Sequence, residues 1–329
     1  MLTDQFQRTI SYLRLSVTDR CDFRCVYCMA EDMTFLPRKD ILSLEELGEI
    51  GAAFVELGGK KIRLTGGEPL IRKDLATLAR ALGALDGLEH LAITTNGSQL
   101  ASCADALAAA GVRSLNISLD SLDPIKFKSI TRTGDLTKVL AGIDAAQAAG
   151  IENIRLNSVI LQNYNLQDVE ELIEFAIAKR LDIAFIEEMP LGSMPNSQRE
   201  ERWLSNETLM QELESRYRFQ RPDALEATAG PARYQKIVNT DTRIGFISPH
   251  SNNFCSSCNR IRVTVEGRLL LCLGNEHSLD LRAILRRPNY SRDTLKTAII
   301  DALSLKPERH HFYDPEHPQI LRFMSATGG

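Results

Sequence analysis

The chain has 329 residues, of which 43% are hydrophobic and 25% charged, as in a globular protein with one large core or two unequal domains. Its net charge of -4 excludes a general attraction to nucleic acid or to an anionic membrane. The first residues lack a basic segment followed by an apolar run, and no apolar stretch approaches the roughly 18 residues of a membrane span. We therefore expect a cytoplasmic protein whose thiols stay reduced.

The first part of the chain alternates strand-like and helix-like segments. The patterns predict strands at 11–18, 60–66, 90–96, 112–120, 152–160 and 181–189. They predict helices over 43–59, 74–85, 99–110, 136–149 and 167–180. This alternation predicts an α/β fold with a parallel sheet, either an open doubly wound sheet or a full or partial βα barrel.

Several of these strands carry one polar row, although strands of parallel sheets are usually continuously hydrophobic. The polar residues that alternate with apolar neighbours in these strands are Arg14, Arg63, Asn116, Ser118 and Arg155. Because successive side chains point to opposite faces, each strand presents these residues to one side. We expect a barrel wide enough to hold a polar ligand; a solvent-exposed sheet face is the alternative.

The pattern changes after Pro190, which divides the chain into a predicted barrel domain, 1–190, and a C-terminal region, 191–329. Residues 191–202 are expected to form a linker or mobile loop. A helix is predicted at 206–216, short strands around 233–247, and two helices within 279–305. This region is either a smaller second domain or an extension that closes one end of the barrel.

Six of the seven cysteines fall into two groups of three. Cys21, Cys25 and Cys28 follow the first predicted strand, where active-site loops of barrels grow. Three thiolates at this spacing can hold three irons of a [4Fe-4S] cluster and leave the fourth iron open to a small molecule. A zinc site completed by a distant residue is the alternative.

The second group has the spacing Cys-x2-Cys-x13-Cys and also lacks a fourth cysteine. It consists of Cys255, Cys258 and Cys272. A second open cluster is expected, and a zinc site completed by His250 or His277 is the alternative. The seventh cysteine, Cys103, lies in a helical pattern and is expected to be a packed core thiol.

These motifs together resemble a known family. The first cysteine loop, with Tyr27 before its last cysteine, and the turn "LTGGEPLIR" resemble the radical S-adenosylmethionine (SAM) superfamily. Within it, the chain resembles the GTP 3',8-cyclases of molybdenum cofactor biosynthesis from about residue 10 to its end. The matching segments are "YLRLSVTDRCDFRCVYCM", "KIRLTGGEPL", "TTNG", "NISLDSLD", "FIEEM", "FCSSCNRIR" and the final "GG".

The resemblance implies a partial (βα)6 TIM-like barrel whose C-terminal extension carries a second Fe-S cluster. The implied cofactors are two [4Fe-4S] clusters and SAM. The implied reaction is reductive cleavage of SAM, hydrogen abstraction from C3' of the GTP ribose and closure onto guanine C8. The product would feed a second enzyme, cyclic pyranopterin monophosphate synthase. An external electron donor is implied, and a homodimer is compatible with the family.

The resemblance also assigns site residues, none of them a stand-alone catalytic base. SAM contacts are expected at Tyr27, Gly67, Ser118 and Met189. The polyanion GTP needs local cations in a chain of net negative charge, and its contacts are expected at Arg14, Arg63, Thr94, Arg155, Arg260, Ile261 and Arg262. The family's second cluster holds the guanine, and its terminal glycines, here Gly328 and Gly329, reach into the active site.

On the residues alone, Gly66 and Gly67 would let the backbone approach a ligand and offer it their amides. Two positions depart from the family pattern: Arg155 stands where relatives carry lysine, and Ala184 where some carry arginine. Two other functions stay open from the sequence. One is a radical SAM peptide-modifying enzyme with an auxiliary cluster, and the other is a zinc-binding adaptor protein.

Overall fold

The structure is a computed structural model that describes residues 2–192, 202–221, 230–275, 277–310, 312 and 322–328. Six predicted strands are present within a few residues of their expected bounds. They are β1 (Tyr12–Ser16), β2 (Lys61–Thr65), β3 (His90–Thr95), β4 (Ser114–Ser118), β5 (Asn153–Val159) and β6 (Asp182–Ile186). The C-terminal region adds β7 (Phe219–Gln220), β8 (Arg233–Ile237), β9 (Arg243–Ile247), β10 (Arg260–Val263), β11 (Arg268–Leu270) and β12 (Ser278–Asp280).

All of these strands belong to one sheet, in the order β12-β11-β10-β1-β2-β3-β4-β5-β6-β9-β8-β7. The pairings from β10 through β6 to β9 are parallel, and the outer strands pair antiparallel. The predicted α/β partial barrel is confirmed, with an unforeseen detail. The C-terminal region supplies strands to both edges, because β10 pairs with β1 and β9 pairs with β6.

The helices connect the parallel strands in sequence. They are α1 (Leu44–Glu56), α2 (Leu75–Gly83), α3 (Leu100–Ala109), α4 (Pro124–Thr131), α5 (Leu136–Ala148) and α6 (Val169–Lys179). Helix α1 begins with a capping box, in which Ser43 and Glu46 exchange side-chain hydrogen bonds with each other's amides. The later helices are α7 (Asn206–Glu214), α8 (Leu281–Leu285), α9 (Arg292–Leu303) and α10 (Met324–Thr327).

Helix α4 was not predicted, although its start signal is in the sequence. Asp123 caps its first turn by accepting hydrogen bonds from the amides of Ile125 and Lys126, and Pro124 occupies the first helical position. The helix is short, and its apolar residues are too few to give a clear helical period. Its position matters, because its last turn contacts the first cysteine loop.

The apolar rows of the strands form one core with the helices. Leu13, Leu15, Ile62, Leu64 and Leu115 are each at most 1% exposed. Of the predicted loop at 191–202, residues 193–201 lie outside the described residues. No helix within the described ranges combines the length and apolar composition that crossing a bilayer requires.

Candidate functional site

Two neighbouring cavities occupy the barrel interior, and each contains one cysteine trio. The first cavity is lined by Cys21, Cys25 and Cys28, and the second by Cys255, Cys258 and Cys272. Four residues line both cavities and form the boundary between them: Asn157, Ile186, Met189 and Met324. The two cavities therefore adjoin, and groups held by the two trios would occupy neighbouring spaces.

The first cysteine loop is held in place by the end of helix α4. The amides of Arg24 and Val26 donate to the carbonyls of Thr131 and Ile130, at 2.9 and 3.0 Å. Phe23 packs edge-to-face against Phe127 of the same helix. The loop conformation is therefore fixed by backbone bonds and packing, which leaves the thiols to face the cavity.

The Gly66–Gly67 turn supports this loop in a way that differs from our sequence interpretation. The amide of Gly67 donates to the carbonyl of Thr18 at 2.7 Å, so it is committed to the protein and not offered to a ligand. A Cβ atom at Gly67 would lie 2.2 Å from the Arg20 carbonyl oxygen. Gly66 has a φ of +151°, and its Cβ would lie 2.3 Å from the Thr18 carbonyl oxygen. Both glycines let two backbone segments meet.

We expect Gly67→Ala to lower the thermal midpoint by roughly 4 °C or more, because the added methyl must displace the Arg20 backbone. Iron bound per chain after reconstitution should fall with it, since the displaced segment precedes Cys21. The matched control is Gly48→Ala in α1, where the nearest atom to the new Cβ is Leu78 Cδ1 at 4.0 Å. Equal midpoints and iron contents in the two variants would contradict this account.

The residues expected to contact SAM all line the first cavity: Tyr27, Gly67, Ser118 and Met189. The same cavity contains two buried carboxyl groups that the sequence analysis did not single out. Glu68 accepts from the Asn96 amide at 2.6 Å and from Thr95 Oγ1 at 2.7 Å. Asp120 accepts from Tyr27 Oη at 2.7 Å and from the Val159 amide at 2.8 Å. Burial raises the pKa of Glu68 to about 7 and that of Asp120 to about 6.

The predicted GTP-binding arginines converge on the second cavity. Arg14, Arg63, Arg260 and Arg262 line it, and Arg14 is the register partner of both Arg63 and Arg262. Burial, with Arg14 and Arg260 nearby, lowers the pKa of Arg262 well below its usual range. Such a concentration of cations at the base of a cavity is suited to a polyanionic ligand.

The chain end reaches this arginine group. The Gly328 carbonyl accepts a hydrogen bond from Arg262 Nη1 at 2.6 Å and one from Arg14 Nε at 3.3 Å. Gly328 therefore lies beside two of the arginines that line the second cavity. Gly329 lies outside the described residues.

Two further predicted GTP contacts are placed differently. Thr94 lines the first cavity, and its hydroxyl accepts from Arg63 Nη1 at 3.4 Å. The side chain of Ile261 is 1% exposed and packs in the hydrophobic core. Any contact of Ile261 with a ligand would have to use its backbone.

Tyr12 lies among the cations of the second cavity and was not predicted to matter. Its hydroxyl accepts from Arg63 Nε at 2.7 Å and from Arg14 Nη1 at 3.5 Å. The Lys61 ammonium lies 5.5 Å from its ring centroid. Burial alone would raise the pKa of Tyr12, but Arg63, Arg14 and Lys61 outweigh it and lower the pKa to about 6.

This arrangement predicts a pH dependence of stability. The folded-state pKa of Tyr12 lies below the unfolded value of about 10, so the phenolate stabilises the fold at high pH, and this contribution declines as the pH falls towards about 6. The difference in thermal midpoint between wild type and Tyr12→Phe should grow between about pH 6 and about pH 9. Tyr217→Phe is the control, because Tyr217 donates to Glu174 at 2.7 Å and burial raises its pKa. A difference in thermal midpoint that stays constant across this pH range would refute the ionisation of Tyr12 in the folded protein.

The two departures from the family pattern have different surroundings. Arg155 lines the second cavity, donates to Asn157 Oδ1 at 3.0 Å and also bonds the Tyr234 hydroxyl. Its guanidinium is therefore oriented from two sides. Ala184 is fully buried in a small apolar cluster with Ala232 and Ile247, which leaves no room for a charged group at that position.

The two trios lie in opposite electrostatic surroundings. Burial, with the carboxylates of Glu68 and Asp22 nearby, raises the pKa of Cys21 to about 12. Burial also acts to raise the pKa of Cys258, but Arg260 and Lys306 outweigh it and lower the pKa to about 7.

The trios fit iron–sulfur clusters better than closed zinc sites. All six cysteines are free thiols, partly exposed to their cavities. Within the described ranges no three His, Cys, Asp or Glu side chains converge on a single ion position. Thiolate sulfurs that bind different irons of a four-iron cluster lie farther apart than thiolates that share one ion, so a more open trio suits the cluster. His250 packs against Trp203, and His277 is exposed.

Comparison with known proteins agrees with this geometry. Residues 15–176 match the model of the radical SAM superfamily, and residues 181–312 match that of Molybdenum Cofactor Synthesis C. The chain is 57% identical to the GTP 3',8-cyclase of Marinobacter nauticus and 55% identical to that of Saccharophagus degradans. Each comparison covers 100% of this chain and 98% of the relative.

Among solved structures, the fold is similar to Streptococcus suis SuiB bound to S-adenosylmethionine, with a TM-score of 0.62 and 15% identity. That comparison covers 93% of this chain and 66% of SuiB, so it bears on the fold alone. The full-length relatives and both family models lead to one conclusion. The chain belongs to the GTP 3',8-cyclase family of the radical SAM superfamily.

Proposed function

We propose that the protein converts GTP into (8S)-3',8-cyclo-7,8-dihydroguanosine 5'-triphosphate in molybdenum cofactor biosynthesis. The observation that carries this proposal is the placement of two cysteine trios in adjoining cavities that share Asn157, Ile186, Met189 and Met324. A cofactor in the first cavity and a purine nucleotide in the second would meet at this boundary. The name carried by full-length relatives supports the same reaction.

The proposed cofactors are SAM and two [4Fe-4S] clusters, one on each trio. When bound, SAM and the first cluster supply the chemistry that removes a hydrogen atom from an unactivated carbon. The residues of the first cavity orient the cofactor and exclude water. Tyr27, Gly67, Ser118 and Met189 are proposed to contact SAM, and the Glu68 and Asp120 carboxyl groups fix the polar wall around it.

The arginines of the second cavity are proposed to bind the GTP anion. Arg14, Arg63 and Arg262 lie side by side on three neighbouring strands, so their charges add at one place. Arg260 points into the same cavity from the position after the second cysteine pair, and Arg155 faces it from β5. Thr94 and the backbone of Ile261 complete the proposed contacts. A nucleotide here would displace the Gly328 carbonyl from its arginines or share them with it.

The wider setting is also proposed. The product would be consumed by cyclic pyranopterin monophosphate synthase, and an external donor would supply electrons to the first cluster. We propose a cytoplasmic location, because thiols stay reduced there and the proposed cluster ligands must be free thiols. A homodimer is compatible with this function but is not needed for it, since both trios belong to one chain.

The test is anaerobic reconstitution, followed by product analysis with SAM and GTP. We expect about eight iron atoms per chain, deoxyadenosine release, and the cyclised nucleotide as product. A peptide offered in place of GTP should give no modified product, whereas modification of the peptide would favour the peptide-modifying alternative. Bound zinc and no bound iron in the metal analysis would contradict the proposed enzyme and favour a zinc-binding adaptor protein.

A further inference from the structure

Lys306, between helix α9 and the chain end, is a buried cation beside the second trio. It is only 1% exposed. Its ammonium donates to Cys258 Sγ at 3.6 Å, to the Arg260 carbonyl at 2.9 Å and to the Leu271 carbonyl. These three bonds use all three N–H groups of the ammonium.

A buried ammonium costs several kcal/mol unless an anion compensates it. Two of the three acceptors are neutral carbonyls, and within the described part of the chain Lys306 forms no ion pair with a carboxylate. The remaining acceptor is Cys258 Sγ, which would be anionic as a ligand of iron. The position of Lys306 is therefore explained if the trio carries negative charge, as it does when it binds iron.

The first trio has the opposite neighbour. Asp22 Oδ1 lies 4.0 Å from Cys21 Sγ, and two neutral amides donate to that sulfur: the Phe23 backbone at 3.3 Å and the Asn96 side chain at 3.8 Å. Beside the second trio, Arg260 lines the same cavity as Cys258 and adds a second cation to Lys306. One further arginine near each trio binds backbone. Arg24 donates to the Cys21 carbonyl at 2.6 Å, and Arg8 to the Cys255 carbonyl at 2.8 Å. The charge at the sulfur atoms therefore distinguishes the two trios.

We propose that Lys306 is a positioning residue that makes the second cluster easier to reduce than the first. A positive charge and a hydrogen bond at a ligand sulfur stabilise the more negative, reduced state of an iron–sulfur cluster. An acidic group at the other trio disfavours reduction there and keeps that cluster a stronger reductant. The inference rests on the proposed function, because it requires a cluster on each trio.

The experiment compares wild type with Lys306→Met, which removes the charge at similar volume, and Lys306→Gln, which keeps a donor without the charge. Lys60→Met is the matched control, because Lys60 is a surface residue paired with Glu89 at 3.0 Å. Each is titrated anaerobically with a mediated reductant under electron paramagnetic resonance. Repeating the titration in a Cys25→Ala background isolates the second cluster.

Both Lys306 variants should shift the midpoint potential of the second cluster downwards, while the first cluster keeps its potential and its spectral response to SAM. Selective loss of the second cluster, with about four irons retained, would also support the role of the Lys306 charge in stabilising that cluster. An unchanged second potential, or loss of both clusters together with the fold, would overturn the role of Lys306. A wild-type chain that binds about four irons or none would instead refute the proposed function and the inference with it.

Discussion

Cys25→Ala is expected to abolish SAM cleavage and to lower the iron content from about eight to about four atoms per chain. The side chain faces the first cavity, and with two thiols left the trio can no longer hold a cluster. The fold should persist, because the loop is held by backbone bonds: the Cys25 carbonyl accepts from the amides of Cys28 and Met29 at 3.0 and 3.3 Å. Iron analysis, circular dichroism and deoxyadenosine release measure the three consequences.

The matched control is Cys103→Ala. Cys103 packs against the core in α3, and its thiol donates to the Gln99 carbonyl at 3.3 Å. This variant should keep its iron and its activity. If Cys103→Ala lost as much iron as Cys25→Ala, the assignment of ligands to the first trio would be wrong.

Arg262→Glu is expected to weaken GTP binding by about 100-fold or more, which corresponds to about 3 kcal/mol. The substitution places a carboxylate next to Arg14 at the base of the second cavity, where it would pair with that arginine and repel the nucleotide. SAM cleavage without GTP should continue, because Arg262 does not line the first cavity. Anaerobic equilibrium binding of GTP and a deoxyadenosine assay separate the two effects.

Arg268→Glu serves as the control for charge reversal. Arg268 lies on β11, next to the strand that carries Arg262, and its side chain donates to Ser278 Oγ at 2.8 Å. GTP affinity should change little in this variant. Equal losses in both variants would indicate a general charge effect and would remove Arg262 from the binding site.

Local patterns in the sequence predicted the barrel and most of its interior. Strand alternation identified Arg14 and Arg63 as cavity residues, because a period of two depends only on neighbouring positions. The two cysteine trios could also be predicted, because most of their members lie close together in the sequence. The pairing of Tyr12 with Arg260 could not be predicted, since no local rule joins the first strand to one so distant in the chain.

Other functional residues gave little or no local signal. Lys306 is a single lysine in a polar segment, and only the fold places its ammonium beside Cys258. Glu68 and Asp120 lie within the motifs "KIRLTGGEPL" and "NISLDSLD", but their burial depends on the packing of several strands. The Gly66–Gly67 turn was recognised as a close backbone approach, but its contact with the backbone of Thr18 and Arg20 had no signal in the local sequence.

Because the C-terminal region pairs with both edges of the barrel sheet, the sheet is completed late in the translation of the chain. Strands β1 and β6 emerge from the ribosome well before their outer partners β10 and β9 are translated. At about 5–20 residues per second, both edges of the nascent sheet stay unpaired for several seconds. Unpaired edges recruit other strands, so the newborn chain should depend on chaperone protection until residue 263 has left the exit tunnel.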